Sequence, residues 1–361
     1  MTPATIRLGS CTLHAGRGLL DHAGEIARGA VPAHRWAIIS DETVAPLYAA
    51  RLAKSFGEAR VDTFTVPAGE RHKTRDSWAR LTDQLLAAGL ARDGAVIALG
   101  GGMIGDLAGF VAATYMRGIP VIQVPTTLLA MIDASLGGKT AVDTPAGKNL
   151  VGAFHDPAAV IADPATLASL DPRELRAGAA EAIKHGAIAD AQYFERAATG
   201  LAAALADPAG DAMHQLIVGS MAIKADAVTA DAREQGRRKS LNFGHTLGHA
   251  IESASGYALL HGEAIAIGMV LESTLAERIG VAERGTAARI RAAVEHAELP
   301  AELPRALGRD RILGLTHADK KSRAGGVEYA LPARIGAMAG TESGWAVPVP
   351  DDVVRLVLSE A

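Results

Sequence analysis

Two histidines spaced four residues apart are the first feature of this sequence that could do chemistry. His245 and His249 lie in the segment NFGHTLGHAIE, so a helix would place both side chains on one face. His261, in a His-Gly-Glu triplet, follows twelve residues after His249. Imidazole and carboxylate groups are ligands of zinc, and a catalytic zinc keeps one position open for the substrate. The spacing favours His245 and His249 as a pair of metal ligands.

A carboxylate stands in another helical pattern. Glu181 lies among small apolar residues in the segment AAEAIKH, with Lys184 three residues further along. The same two residues also fit a surface ion pair on one helix, and paired histidines are common in cores and on surfaces. Spacing alone therefore leaves open both a metal site and an ordinary helical surface.

Cationic residues near these segments suit an anionic substrate. Arg238 and Lys239 precede the histidine segment, and Lys224 stands in the helical stretch before it. Guanidinium and ammonium groups bind phosphate and carboxylate groups. A helical domain that brings these cations near a metal would bind a substrate with both kinds of group.

A glycine-rich turn follows one of the apolar runs. Gly100, Gly102 and Gly105 fit G-x-G-x-x-G ahead of a helical pattern at 107–113, as in turns that bind a pyrophosphate at a helix start. The usual fingerprint lies on the first strand with an acidic residue about 20 positions later, and this sequence departs from both features. The alternative is a tight strand-to-helix turn with Asp106 as the helix cap.

A polar loop lies further along the first half of the chain. Its segment DASLGGKT ends like a phosphate-binding loop, but such a loop needs glycine where Asp133 stands, so a P-loop nucleotide hydrolase is disfavoured. Lys139, Lys148 and Asn149 add polar groups to an otherwise apolar region. Solvated loop lysines are the alternative to a binding loop.

The elements that must position these residues fall into two halves. Short apolar runs alternate with helical patterns before residue 165, which predicts a parallel sheet with crossover helices. The runs are 36–40, 61–66, 95–99, 121–125 and 160–163. Asp171 and Pro172 then supply a helix cap and a first-turn proline, and long Ala/Leu/Ile-rich helical patterns follow. We predict an α/β domain with a parallel sheet over 1–170 and a mainly α-helical domain over 171–361.

Composition excludes several classes of function. The 361 residues carry 36 basic and 40 acidic side chains, a net charge of −4 without blocks of like charge, which disfavours nucleic acid as a partner. Cys11 is the only cysteine, so a metal site must use histidine and carboxylate ligands. The sequence shows neither a signal-peptide pattern nor an apolar run near the ~20 residues that span a bilayer. We expect a soluble cytoplasmic protein that does not bind membranes.

Taken together, the motifs resemble the 3-dehydroquinate synthase family over nearly the whole chain. The order of the motifs is the family's order, and their combination is highly specific. They are GGGMIGDLAGFVAATYMRG at 100–118, PTTLLA at 125–130, DASLGGKT at 133–140, GKN at 147–149, AEAIK at 180–184, LNFGHTLGHAIE at 241–252, HGE at 261–263 and DKK at 319–321.

The resemblance implies an N-terminal NAD-binding domain, a C-terminal helical domain, an active site between them and one divalent metal, Zn²⁺ or Co²⁺. It assigns the metal to Glu181, His245 and His261, and makes His249 a contact of the substrate phosphate rather than a ligand. The implied NAD-binding residues are Asp41, Glu70, Lys73, Gly102, Met103, Ile104, Gly105, Asp106, Thr126, Thr127, Lys139, Lys148, Thr166, Leu167, Ala168 and Ser169.

The implied activity is that of a carbon–oxygen lyase. It converts the sugar phosphate 3-deoxy-D-arabino-heptulosonate 7-phosphate to 3-dehydroquinate and phosphate in the shikimate pathway, with NAD⁺ recycled rather than consumed. The resemblance also implies a homodimer, because Arg117 matches a phosphate-site residue that comes from the neighbouring subunit. The implied catalytic and substrate-binding residues are Arg117, Asp133, Lys139, Asn149, Lys184, Lys224, Glu234, Arg238, Asn242, His249, Lys320 and Lys321.

Other functions share these motifs in part. The sugar phosphate cyclases that make 2-deoxy-scyllo-inosose or 2-epi-5-epi-valiolone share the fold, the NAD and the metal ligands. Arg238, Asn242 and the segment DKK at 319–321 keep the dehydroquinate-synthase pattern at positions that contact the carboxylate and phosphate. Metal-dependent polyol dehydrogenases resemble the chain more remotely and would release NADH. A non-catalytic descendant is disfavoured because Glu181 and Lys184 are retained together with His245 and His261.

Overall fold

The structure is a computed structural model that describes residues 3–318 and 327–361 of the chain. It divides into two units. The first comprises Met1–Leu170 and Pro208–Ala225, and the second comprises Asp171–Asp207 and Asp226–Ala361. The domain bounds expected from the sequence, 1–170 and 171–361, stay a prediction. By its contacts, the segment Pro208–Ala225 groups with the first unit.

The first unit is built on a seven-stranded sheet. Its strand order is β1-β2-β9-β6-β5-β3-β4, and every neighbouring pair is parallel except β1 and β2. The parallel sheet predicted from the apolar runs is confirmed, while the hairpin of the first two strands was not predicted. The strands are β1 (Ala4–Leu8), β2 (Cys11–Ala15), β3 (Arg35–Asp41), β4 (Arg60–Val66), β5 (Gly94–Gly100), β6 (Val121–Pro125) and β9 (Ala159–Ala162).

Helices cover both faces of this sheet. Trp36 and Ile38 of β3 pack into one hydrophobic cluster, whereas Ala37 and Ile39 pack into another on the opposite face. Such continuous apolar runs are typical of parallel strands buried on both sides. The helices of the first unit are α1 (Ala23–Ala30), α2 (Ala45–Lys54), α3 (Arg75–Ala87) and α4 (Gly102–Thr114).

The strand order reverses between β3 and β5, because the chain adds β4 on one side of β3 and β5 on the other. In open α/β sheets, ligands bind beyond the carboxyl ends of the strands at such a switch point. Asp41 is the last residue of β3 and Gly100 the last residue of β5. The topology therefore predicts a ligand crevice at these two residues.

In the chain, an antiparallel hairpin follows β6 and precedes β9. It consists of β7 (Lys139–Thr144) and β8 (Gly147–Phe154) and contains the polar loop found in the sequence. β8 alternates poorly in burial, with four consecutive exposed residues from Asn149 to Gly152. This explains why periodicity did not predict it.

The second unit is mainly helical, as predicted. Asp171 caps α5 by accepting a hydrogen bond from the Arg173 backbone N–H at 2.8 Å, with Pro172 in the first turn. The helices are α5 (Pro172–Ala189), α6 (Ala191–Ala206), α8 (His245–Ala254), α9 (His261–Arg278), α10 (Thr286–His296), α11 (Arg309–Ala318) and α12 (Asp351–Glu360), and α7 (Asp211–Ala230) contains the unit boundary at residue 225.

Two short β-ribbons complete the second unit. They pair β10 (Glu328–Tyr329) with β13 (Val347–Pro348), and β11 (Pro332–Arg334) with β12 (Ala337–Met338). Among residues 3–318 and 327–361, we find no helix whose length and apolar character would let it cross a membrane.

Candidate active site

Three helices of the second unit bring together the three side chains that the resemblance assigns to a metal. Glu181 comes from α5, His245 from α8 and His261 from α9. The Nε2 atoms of His245 and His261 lie 3.6 Å and 3.8 Å from Glu181 Oε1. Glu181 is fully buried, and Lys184, one turn along α5, pairs with its other oxygen. Since Glu181 and Lys184 are both buried, the alternative of a surface ion pair is wrong.

The other ring nitrogen of each histidine is engaged elsewhere. His245 Nδ1 lies 3.0 Å from the Phe243 carbonyl oxygen, and His261 Nδ1 lies 3.3 Å from Glu252 Oε2. A histidine that donates its Nδ1–H to a carbonyl or carboxylate keeps the Nε2 lone pair for a metal. Both rings therefore present the ligating nitrogen toward Glu181.

His249 lies close to the same place. Its ring centroid is 5.2 Å from that of His245 and 5.8 Å from that of His261, and the three histidines offer nitrogens within 4.8 Å of one another. The pair favoured by helical spacing is thus adjacent in space, but the buried carboxylate faces His245 and His261. The geometry is compatible with His249 beside a metal held by the other three side chains.

The electrostatics of this cluster favour a cation. Burial alone would lower the pKa of His261, but hydrogen bonds to Glu181 and Glu252 outweigh burial and raise its pKa to about 9. The same carboxylates attract any positive charge placed between the rings. One carboxylate and two imidazoles are the ligand types of a catalytic zinc site with an open position, so the residues fit the implied divalent metal.

Glycines let these helices approach closely enough for short side chains to meet. A Cβ on Gly262 of α9 would lie 1.9 Å from the carbonyl oxygen of Ala177 on α5. A Cβ on Gly268 of α9 would lie 2.1 Å from the carbonyl oxygen of Gly244, next to the start of α8. Any larger residue would separate the backbones, since real Cβ atoms do not come this close to other atoms. Close backbone packing therefore sets the spacing of Glu181, His245 and His261.

In the first unit, Lys73 lies at the centre of a polar network. Its Nζ lies 2.8 Å from Glu70 Oε1, 3.1 Å from Asp106 Oδ2 and 2.8 Å from Asn149 Oδ1. Burial alone would lower the pKa of Lys73, but Asp106 and Glu70 outweigh it, so the pKa lies above its usual value. Desolvation raises the pKa of Asp106 to about 6, with Lys73 opposing. Four residues implied in cofactor or substrate binding are thus brought together.

The glycine turn differs in detail from its prediction. α4 begins at Gly102 with Gly101 as the N-cap, five residues before the predicted start. Asp106 is the fifth residue of the helix, so its expected role as a cap is wrong. A Cβ on Gly105 would lie 2.9 Å from Oε1 at the end of the Gln123 side chain on β6, so a larger residue here would require that side chain to move. The turn nevertheless presents the helix N-terminus at the switch point, where an anion would bind.

Most of the remaining implied cofactor residues follow strands of the seven-stranded sheet at their carboxyl ends, and Lys148 lies in the separate β7–β8 hairpin. Asp41 accepts hydrogen bonds from the Thr43 and Val44 backbone N–H groups at 2.8 Å and 2.9 Å. Thr126 and Thr127 follow β6, the neighbour of β5. Residues 164–169 form a short helix after β9 that Tyr48 holds by a 3.0 Å bond from its hydroxyl to the Thr166 carbonyl. Met103 and Ile104 lie in the first turn of α4, Leu167 and Ala168 in the short helix, and Lys148 at the start of β8.

The substrate residues assigned by resemblance occupy both units. In the first unit, Lys224 Nζ lies 2.6 Å from Asp133 Oδ1, and Lys139 begins β7. In the second, Asn242 donates to Glu234 Oε1 at 2.5 Å. Arg238 is buried and donates to the Ala232 carbonyl at 2.7 Å. Arg117 is exposed, and Lys320 and Lys321 lie outside the described residues.

Sequence reasoning missed two carboxylates beside these groups. Glu252 follows His245 by seven residues, two helical turns, so its place on the ligand face was a signal in the sequence. Asp143 Oδ1 lies 3.8 Å from Lys73 Nζ and accepts the Asn149 backbone N–H at 2.9 Å. No local pattern predicts the contacts of Asp143, because they depend on the β7–β8 hairpin.

Comparisons with known proteins identify the family. The family models described as 3-dehydroquinate synthase N-terminal and C-terminal match residues 63–177 and 178–322. A 3-dehydroquinate synthase of Symbiobacterium thermophilum is 45% identical over 334 residues, 91% of this chain and 93% of that protein.

Solved structures of related enzymes have the same fold. A 2-deoxy-scyllo-inosose synthase complexed with carbaglucose-6-phosphate, NAD⁺ and Co²⁺ superposes with a TM-score of 0.88 at 26% identity, covering 100% of both chains. A 2-epi-5-epi-valiolone synthase of Streptomyces hygroscopicus with NAD⁺ and Zn²⁺ bound superposes with a TM-score of 0.87 at 28% identity, covering 100% of this chain and 99% of that one.

Proposed function

This chain belongs to the 3-dehydroquinate synthase family, and we propose that it converts 3-deoxy-D-arabino-heptulosonate 7-phosphate to 3-dehydroquinate and phosphate. The activity is that of a carbon–oxygen lyase. The cofactors are a recycled NAD⁺ and one divalent metal, Zn²⁺ or Co²⁺.

The convergence of Glu181, His245 and His261 carries this proposal. Three helices contribute one ligand each, both histidines have their Nδ1 atoms engaged, and Lys184 lies against the shared carboxylate. An ordinary helical core has no use for a fully buried carboxylate faced by two imidazoles, because burying such groups is costly unless they act together. The arrangement is explained by a bound divalent cation.

When bound, NAD⁺ accepts and returns a hydride, and the metal polarises the adjacent C4 and C5 hydroxyls of the substrate. The chain's own residues bind and orient. Lys184 and Asn149 hold the reacting hydroxyls, with Asp133 and Glu234 beside them. The substrate's own phosphate takes the C6 proton, so the chain needs no dedicated base for that step. Most of the task is positioning one substrate through several steps.

Cations bind the two anionic ends of the substrate. Arg238 and Lys224 bind the carboxylate. Asn242, four residues after Arg238, keeps the family's pattern at this site. The groups that bind the phosphate are Lys139, Asn149, His249, Arg117 and one of Lys320 and Lys321. The nucleotide occupies the switch-point crevice at Asp41 and the start of α4. Its predicted contacts are the residues described above at the carboxyl edge of the sheet.

We further propose a homodimer in which Arg117 of one copy reaches the phosphate site of the other. Met116 and Arg117 both have left-handed backbone conformations, with φ of 51° and 69°, and both are exposed. Further along the chain, β8 exposes Leu150 and Val151, each 39% exposed, and Phe154. An exposed apolar strand of this kind is typical of protein contacts. The cytoplasmic location stays a prediction.

A turnover assay tests the function. The purified protein is incubated with the heptulosonate phosphate, Co²⁺ and substoichiometric NAD⁺, while phosphate release is followed and dehydroquinate dehydratase detects the product. We expect many turnovers per NAD⁺ and no net NADH. Turnover of sedoheptulose 7-phosphate or glucose 6-phosphate instead would identify a sibling cyclase, and stoichiometric NADH would identify a dehydrogenase.

A further inference from the structure

Glu272 is a fully buried carboxylate that the proposed mechanism does not use. It lies on α9, eleven residues after His261, and its side chain points to the start of α8. Glu272 Oε2 accepts the Gly244 backbone N–H at 2.6 Å, and Oε1 accepts the Leu247 backbone N–H at 2.9 Å. These two N–H groups flank His245 in the chain.

The two N–H groups are those that a capping box normally satisfies. In that motif the N-cap side chain accepts the N–H of the third helical residue, and the side chain of that third residue accepts the N-cap N–H. In α8 the N-cap is Gly244 and the third residue is Leu247, and neither side chain offers an acceptor. Glu272 supplies both acceptors from another helix.

Packing explains why the cap must come from outside. Gly244 has φ of +79°, and a Cβ there would lie 2.5 Å from Met269 Cγ and 3.0 Å from the Met269 backbone nitrogen. Serine, aspartate or asparagine, the usual N-cap residues, would therefore clash with α9. Close approach of α8 and α9 excludes a local cap and at the same time brings Glu272 within reach.

A second carboxylate contact joins the same two helices, with the carboxylate on α8 rather than on α9. Glu252 of α8 contacts His261 of α9. Glu272 of α9 accepts the backbone N–H groups of Gly244, just before His245, and of Leu247, two residues after it. Each helix therefore carries one of the histidines that face Glu181, and one carboxylate that contacts the other helix. The position of His245 relative to His261 depends on this reciprocal pair.

We infer that Glu272 is a positioning residue for the metal site: it fixes the first turn of α8 so that His245 Nε2 faces Glu181. The inference rests on the proposed function, since it assumes that His245 binds a metal. It makes Glu272 a determinant of metal affinity although it lies outside the ligand set. Residues that orient metal ligands typically change the affinity 10–100-fold when they are replaced.

The test measures Co²⁺ binding to the full chain by its visible absorption, at a temperature well below every variant's unfolding transition. The variants are Glu272→Gln, which keeps the shape and one acceptor, and Glu272→Ala. Leu358→Ala is the stability control, because Leu358 is fully buried in the same unit and lies on α12. His261→Ala controls for the site itself.

We expect Kd for Co²⁺ to increase about 10–100-fold in Glu272→Ala and less in Glu272→Gln, with altered absorption bands. Leu358→Ala should lower the unfolding temperature but keep the wild-type Kd and spectrum. If both Glu272 variants bind Co²⁺ like the wild type while His261→Ala does not, the inference is wrong and the proposed function stands. If the wild type itself binds no Co²⁺ at this cluster, both fail. An equal loss of Co²⁺ affinity in Leu358→Ala would also overturn the inference. If Glu272→Ala does not fold, the Kd of Glu272→Gln decides the question.

Discussion

Glu252 Oε2 lies 3.3 Å from His261 Nδ1, so that the opposite ring nitrogen of His261 faces Glu181. The side chain of Glu252 is only 9% exposed, whereas that of His261 is 30% exposed. A carboxylate behind a histidine ligand fixes the ring orientation and makes the nitrogen a better donor. This relationship distinguishes the cluster from three histidines that merely pack together.

Replacing Glu252 with glutamine should weaken metal binding without removing a ligand. We expect Kd for Co²⁺ to increase about 10–100-fold, with activity restored by excess Co²⁺, because only the orientation and basicity of His261 change. A Co²⁺ titration followed by visible absorption measures this. Glu277→Gln is the control, since Glu277 lies on α9, the helix of His261, but accepts the Ala287 N–H at 2.7 Å. Equal Kd values for the two variants would contradict the role of Glu252.

The sequence predicted the metal cluster only in part, for a geometric reason. Spacing within one helix identifies His245 and His249, because neighbours four apart share a face. Spacing cannot reveal that α5 and α9 cross at glycines, and this crossing is what brings Glu181 and His261 to His245. The resemblance to the family supplied that trio. The contact of Glu272 with Gly244, across 28 residues, has no local signal at all.

The sheet was easier to predict than the elements around it. The strands β3, β5, β6 and β9 are buried on both faces, so their apolar runs are continuous and visible in the sequence, whereas β4 lies at the sheet edge and is only partly buried. β8 has mostly exposed residues, and its place is set by pairing with β7 rather than by its own hydrophobic pattern. The start of α4 was placed five residues late because glycines have low helix propensity, although Gly102 and Gly105 lie in its first turns.

Lys73→Met should reduce NAD⁺ affinity and destabilise the first unit. The change leaves Glu70, Asp106 and Asp143 near one another without their shared cation. We expect a loss of about 2 kcal/mol, less than for a fully buried pair because these carboxylates are partly exposed. Urea unfolding and NAD⁺ titration by calorimetry measure the two effects. Lys54→Met, at an exposed position on α2, is the control and should change neither quantity.

Arg238→Ala should raise KM for the heptulosonate phosphate much more than it lowers kcat. The guanidinium is buried, and a charged hydrogen bond to a carboxylate contributes about 1.5–3 kcal/mol, so KM should increase roughly 10–100-fold. Arg237→Ala removes an exposed neighbour that pairs with Asp226 and serves as the control. Co²⁺ and NAD⁺ affinities should stay at wild-type values in both variants. An unchanged KM in Arg238→Ala would rule out its role at the substrate carboxylate.

Cys11 should be unreactive in the folded protein. Burial, with a smaller effect of Asp156, raises the pKa of the thiol to about 12, and the side chain is 2% exposed. At pH 9 an ordinary thiol is mostly thiolate, whereas about one part in a thousand of Cys11 would be ionised. Iodoacetamide labelling followed by mass spectrometry should be at least ~100-fold slower for the native than for the urea-unfolded chain. The double variant Ser10→Cys/Cys11→Ser places a thiol at the exposed neighbouring position and should label quickly in both states.

Mixing two inactive variants should restore activity if Arg117 acts across a dimer. Arg117→Ala keeps the metal ligands, and His261→Ala keeps Arg117. In a mixed dimer, the site that retains His261 receives Arg117 from the other subunit, so one of its two sites is complete. Random exchange at equal amounts makes half of the dimers mixed, which gives about a quarter of the wild-type activity per chain. The control mixture combines His261→Ala with Arg60→Ala, a change at an exposed position on β4. The activity of this mixture should equal that of the Arg60→Ala chains alone. No gain on mixing the first two variants, after exchange is verified by native mass spectrometry, would mean that Arg117 acts within its own subunit or not at all.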